Sequence, residues 1–198
     1  MRLFIALEID DGIRARIQRL VEGESGFAEE ARWVRPESMH VTLKFIGEKP
    51  AESVEEIKRA MAAVKEEPFE ISFRGFGFFP TAKSARVFWV GIEAGLRLTK
   101  LAMAVDQATS ALGIQKEEHA YSPHLTLARC GLSGAPRRQK EDRPNRGFQK
   151  LQEKLAAMAT PEFGTMTARE FFLYQSQLQR GGARYTKIER FGLGQAHV

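Results

Sequence analysis

Two short runs carry the residues with the most chemistry in this chain: His-Val-Thr-Leu at 40–43 and His-Leu-Thr-Leu at 124–127. Each alternates polar and apolar residues with the period of a half-buried strand, so the histidine and threonine share one face and the aliphatic residues the other. Imidazole has an unperturbed pKa of about 6.5 and can both accept and donate a proton near neutrality. Two such rings facing one phosphate make a general base and a general acid, and each threonine hydroxyl can hydrogen-bond a non-bridging oxygen. The chemistry implied is in-line displacement at phosphorus. One ring activates the attacking water or hydroxyl and the other protonates the departing oxygen, so the two must stand on opposite sides of the phosphate.

A single histidine on a strand is an ordinary structural residue, and a single His-x-Thr alternation says little more. The second copy changes the reading, because His40 and His124 lie 124 − 40 = 84 residues apart and that offset recurs elsewhere. A metal centre is the rival account. Two histidines with no third ligand of the usual kind nearby make a poor zinc set, so neither metal nor cofactor is expected. His119 and His197 have no partner at the repeat distance and read as surface or terminal residues.

At the same offset Arg2-Leu3-Phe4-Ile5-Ala6 lines up with Arg86-Val87-Phe88-Trp89-Val90. Each run leads into a helical stripe, Ile13, Ile17, Leu20 and Val21 in the first half and Leu98, Leu101, Val105 and Ala108 in the second. After the first motif come a helix with Val54, Ile57, Met61 and Val64 on one side and acids in its first turn, then the strand-like PFEISFRGFGFFP. After the second come a helix with Phe148, Leu151, Leu155 and Met158 and a single matching strand, MTAREFFLYQS. Each half thus reads strand, helix, motif strand, helix, strand, with pseudo-repeats at about 1–80 and 85–180. Register is lost over 131–146, a Gly, Pro and charge-rich loop carrying Arg137, Arg138, Lys140, Arg143 and Arg146, which could track an RNA backbone or be merely solvated. The expected fold is α+β: a bilobal internal duplication forming one domain over 1–198, two mostly antiparallel sheets with helices outside, and a central cleft between the motif strands.

Composition sets the bounds. With 198 residues, 43% hydrophobic and 28% charged, the chain can bury a core and is not compositionally disordered. A net charge of +5 favours an anionic partner. The single cysteine, Cys130, excludes an intramolecular disulfide framework, suits a reducing compartment, and reads as a small buried apolar residue. The apolar run in MRLFIALEIDD is too short for a signal-peptide core, and no window is long and apolar enough to span a bilayer. A cytoplasmic location is expected.

The paired HVTL and HLTL motifs resemble those of the two-histidine (2H) phosphoesterase superfamily. Within it, MRLFIALEID, WVRPESMHVTLKFIGE, YSPHLTLAR and FFLYQSQLQRGGARYTKIERF resemble the RNA 2′,3′-cyclic phosphodiesterases, long called 2′-5′ RNA ligases. The likeness covers almost the whole chain. It implies a monomer that opens a 2′,3′-cyclic phosphate at an RNA end, tRNA fragments among the candidates, to give a 2′-phosphate without metal, and that can run a reversible 2′-5′ ligation. On the family pattern His40 is the proton donor and His124 the proton acceptor, a labelling that symmetry could exchange, while Thr42 and Thr126 hold the phosphate.

The resemblance also makes Arg129 a contact for substrate phosphate or nucleotide. Parity opposes this, since a residue five places after His124 faces away from the site unless the strand bulges or ends. Lys44 has the parity of His40 and Thr42 and is expected on the rim, solvated or touching phosphate. Where the family pattern has an arginine-rich approach with phenylalanine, this chain has His119-Ala120-Tyr121-Ser122-Pro123, and Tyr121 is either a packing residue or a platform for a base. The competing functions are a non-catalytic RNA-end binding module and a phosphodiesterase for a small cyclic nucleotide phosphate.

Overall fold

The computed structural model of the protein describes residues 1–131, 146–179 and 182–194. Among these lie nine strands and four helices. In chain order they are β1 (Arg2–Glu8), α1 (Asp11–Glu24), β2 (Arg32–Trp33), β3 (His40–Glu48), α2 (Ser53–Ala62), β4 (Phe69–Phe79), β5 (Val87–Glu93), α3 (Gly95–Ser110), β6 (His124–Arg129), α4 (Gln149–Ala156), β7 (Glu162–Ala168), β8 (Glu170–Gln179) and β9 (Gly182–Gly192). The helical stripes expected from periodicity are the buried faces: Ile13 and Ile17 on α1, Ile57 and Met61 on α2, Leu98, Leu101 and Val105 on α3, Leu151 and Leu155 on α4. They join the strands in one large core around Phe73, Phe88, Phe148 and Phe171, all fully buried. Each such ring is worth about 1.5–3 kcal/mol relative to exposure.

Every strand pairing is antiparallel, in a four-stranded sheet of order β3-β1-β8-β9 and a five-stranded sheet of order β2-β6-β5-β4-β7. Leaving out the short β2, the two orders match strand for strand: β3 with β6, β1 with β5, β8 with β4, β9 with β7. Sheet membership does not follow the two halves of the sequence, because β4 belongs to the first half yet lies in the second sheet, and β8 belongs to the second half yet returns to the first. Exchange of these long strands braces the two sheets together. The stretch expected as one strand is two, broken at Arg169 so that β7 and β8 can enter different sheets.

Strand register corrects one alignment. Glu8 lies opposite His40 and Gly91 opposite His124, so β1 and β5 correspond at 91 − 8 = 83, one residue short of the 84 between the histidines. Ile5 and Phe88 therefore share the core-facing role, and Ala6 and Trp89 the cleft-facing one. A one-residue slip inverts every side chain of a strand, and two apolar runs aligned by composition alone could not reveal it.

Apolar residues on both faces of β1 serve two purposes. Leu3, Ile5 and Leu7 enter the main core, while Phe4 and Ala6 join Phe172, Tyr174 and Tyr185 in a small separate cluster on the opposite face of the sheet. This second cluster is the floor on which the first histidine rests.

Candidate active site

His40 and His124 are the first residues of β3 and β6, where a strand emerges from a loop and its first side chain can be reached from outside. The loop fixes each ring. Nδ1 of His40 lies 2.7 Å from the Ser38 carbonyl, and Nδ1 of His124 lies 2.8 Å from the Ser122 carbonyl. A carbonyl can only accept, so each Nδ1 carries a proton and each Nε2 of the neutral ring presents a lone pair. Ser38 and Ser122 are themselves 122 − 38 = 84 residues apart, a repeat signal readable in the sequence as Ser-x-His-x-Thr.

Aromatic rings hold both imidazoles from the side. His40 packs on Phe4 with centroids 4.8 Å apart and edge-on to Tyr185 at 5.1 Å, with Tyr174 stacked on Phe4 behind it. His124 meets Phe79 edge-on at 5.0 Å and Trp89 at 6.5 Å. Gly77 makes room for that indole, since a Cβ there would come within 2.2 Å of the Trp89 ring. Tyr174, Tyr185 and Trp89 were not singled out from the sequence, because only strand pairing brings them beside the histidines. A cavity of about 380 Å³ opens next to His40, walled in part by Glu8, Tyr174, Arg184, Tyr185 and Lys187.

Thr42 and Thr126 are half-buried, two residues along from their histidines and on the same face. Beyond them both strands bulge. Thr42 pairs with Ala6 but Lys44 with Ile5, leaving Leu43 as the extra residue. Likewise Thr126 pairs with Trp89 and Ala128 with Phe88, leaving Leu127 extra. A bulge inverts the parity of the residues beyond it. Leu43 and Lys44 are consequently both buried and Phe45 is 56% exposed, while Leu127 and Ala128 are both buried and Arg129 is exposed.

The bulges change where Lys44 and Arg129 stand relative to the parity expected of an unbroken strand. Lys44 is not on the rim: its ammonium is buried and pairs with Asp106 at 2.6 Å. Arg129 comes round to the side of the histidines, the bulge removing the objection from parity, and its charge acts on His40, His124 and Tyr185 alike.

Electrostatics favour neutral rings in the free protein. Burial lowers the His40 pKa to about 4, with the positive charges of Arg129 and His124 adding to the effect and the Ser38 hydrogen bond opposing it. His124 is lowered for the same reasons, burial first and Arg129 after, against the Ser122 bond. An anion brought close to the rings would oppose that lowering, since a neighbouring negative charge stabilises imidazolium. Such an arrangement can couple proton uptake to the arrival of an anion.

Tyr121 is a packing residue rather than a free platform: its hydroxyl donates to the Thr42 carbonyl at 2.8 Å. Its ring packs against the core, and burial pushes its pKa up. His119 is exposed and Cys130 buried, as expected. Of the basic loop, Arg146 is exposed, and Arg137, Arg138, Lys140 and Arg143 lie outside the described residues, as does His197. No helix among the described residues is long and apolar enough to cross a membrane.

The chain matches the LigT-like phosphoesterase family twice, over residues 7–89 and 90–185. It is 32% identical to an RNA 2′,3′-cyclic phosphodiesterase of Archaeoglobus fulgidus, across 96% of this chain and 99% of that one. The corresponding protein of Methanothermobacter thermautotrophicus is 31% identical across 98% and 99%. Among solved structures, a Thermus thermophilus protein superposes with a TM-score of 0.76 at 27% identity over the whole of both chains. E. coli LigT complexed with 3′-AMP does so with a TM-score of 0.75 at 25% identity over 98% of each. Duplicated motif, paired sheets and full-length likeness agree: this chain belongs to the LigT-like phosphoesterase family.

Proposed function

We propose that this protein hydrolyses the 2′,3′-cyclic phosphate at an RNA end to a 2′-phosphate, with His40 and His124 as its acid and base. The observation that carries the reading is the matched presentation of two imidazoles, each with Nδ1 tied to a carbonyl and Nε2 left for proton transfer, beside one shared arginine. Water attacks phosphorus as His124 accepts its proton. The bond from phosphorus to O3′ breaks, and His40 donates a proton to that oxygen, leaving a 3′-hydroxyl and a 2′-phosphate. Thr42 and Thr126 hydrogen-bond the non-bridging oxygens, and Arg129 offsets the negative charge that grows on them in the transition state. With a 5′-hydroxyl RNA end attacking phosphorus in place of water and the same bond to O3′ breaking, the same groups serve 2′-5′ ligation, and attack of the 3′-hydroxyl on that linkage reverses it by expelling the 5′-hydroxyl.

In this reading the enzyme acts as a monomer on RNA in the cytoplasm, tRNA fragments being candidate substrates. The test is turnover of an oligonucleotide bearing a 2′,3′-cyclic phosphate, with and without EDTA, by the wild type and by His40→Ala and His124→Ala. Turnover by the wild type that EDTA leaves intact, and its loss in both variants, are expected. Full activity in the double variant ends the reading. Binding of the oligonucleotide without product identifies an RNA-end binding module instead. A steep salt dependence separates an RNA substrate from a small cyclic nucleotide, which neutralises fewer charges.

A further inference from the structure

The segment 111–123 between α3 and β6 contains neither helix nor strand, yet it delivers His124 to its place. Two side chains of opposite origin tie it to β3. Tyr121 donates from its hydroxyl to the carbonyl of Thr42 at 2.8 Å. Lys44, buried to within 1% of its side-chain surface, donates to the Gln115 carbonyl at 2.7 Å and to Asp106 at 2.6 Å, with the Glu117 carboxylate at 3.4 Å. Asp106 also accepts from the Glu117 backbone N–H at 3.2 Å. Helix α3, the lead-in to β6 and the first motif strand thus meet at one ammonium group.

We infer that Tyr121 and Lys44 are positioning residues, a clamp that bolts the lead-in of β6 to β3 and so sets the separation and mutual orientation of the two imidazoles. The linkage is short. Tyr121 is held by the backbone of Thr42, and the next residue, Ser122, supplies the carbonyl that orients the His124 ring. Thr42 and His124 are therefore joined through two consecutive residues and two hydrogen bonds. The bulge at Leu43 is what allows this, because without it Lys44 would point to the cleft and could not reach Asp106. The duplication supplies no mate for the clamp: Ala128 stands at the place of Lys44, so it works from one side only.

This inference rests on the reaction proposed above, and its test separates the two. Tyr121→Phe keeps the ring and removes only the hydroxyl; Lys44→Met with Asp106→Leu removes the ion pair without stranding a buried charge. For each, kcat and KM are measured on the cyclic-phosphate oligonucleotide, thermal stability is followed, and the Cε1–H signals of both histidines are recorded by NMR during titration with inorganic phosphate. In the wild type both signals respond together to one phosphate. In the variants kcat falls roughly ten- to a hundredfold with KM within about twofold of wild type, and the two signals no longer move in concert. Wild-type kcat with concerted responses in both variants overturns the clamp, as does a loss of activity fully explained by a lowered melting temperature. A wild type without turnover whose rings answer phosphate together, and whose variants lose that concert, retires the proposed reaction and supports the clamp.

Discussion

Phe45 and Arg129 occupy the same place in the duplicated motif, each five residues after its histidine and each turned outward by a bulge two residues earlier. Phe45 contacts Phe4, which carries His40, with ring centroids 6.2 Å apart; Arg129 sends its charge to both histidines. Equivalent positions thus hold an exposed aromatic ring behind one histidine and a cation near both. The difference breaks the symmetry of a site whose two rings are otherwise held alike.

Removing that cation has two opposing effects. In Arg129→Ala both histidines lose a charge that lowers their pKa, so the optimum of kcat/KM moves to higher pH. The substrate loses its counter-charge, and kcat/KM at the optimum falls by about a hundredfold, the scale of one preorganised transition-state contact. A pH profile of the variant that coincides with the wild type would show that Arg129 does not act on the rings.

The free enzyme and the substrate complex should titrate differently. Burial and Arg129 hold both histidines below the ordinary imidazole value, His40 at about 4, and kcat/KM reports the free enzyme. Its bell is expected wholly on the acidic side of about 6.5. The bound phosphodiester anion raises both values, so the kcat bell lies at higher pH. Initial rates across pH at low and at saturating substrate test the displacement, and its reversal would contradict the electrostatic account.

The same depression makes the fold sensitive to acid. Between about 6.5 and 4 an unfolded chain binds a proton at this histidine that folded His40 refuses, so stability is lost as pH falls through that window and levels off below it. The loss from His40 alone is roughly 3 kcal/mol. Urea unfolding of His40→Gln at pH 7 and pH 4 should show a smaller acid penalty than the wild type.

Gly77 is required by the indole beside it. Gly77→Ala places a methyl within 2.2 Å of the Trp89 ring, and Trp89 flanks His124. The ring must shift, at about 1–3 kcal/mol for overpacking, and kcat should fall with it. Thermal melts together with turnover check both effects.

Lys44→Met alone leaves Asp106, whose side chain is 12% exposed, without its ammonium partner. A loss of about 3–5 kcal/mol is expected. Adding Asp106→Leu should return most of it, which a double-mutant cycle in denaturant measures directly.

Much of this was legible in the chain. Two His-x-Thr copies 84 residues apart, the period-two alternation around them and the helical stripes of four amphipathic helices are local facts, because side-chain direction in a strand or helix follows from backbone geometry alone. They suffice for the fold class and for the pairing of the two histidines on one kind of strand. Four things lay beyond reach: the bulges at Leu43 and Leu127, the one-residue shift of β1 against β5, the break at Arg169, and the exchange of β4 and β8 between sheets. Each depends on which partner strand lies alongside and in what register. Those partners come from distant parts of the chain, so contacts formed only on folding turned Lys44 inward and brought Arg129 to the side of the histidines.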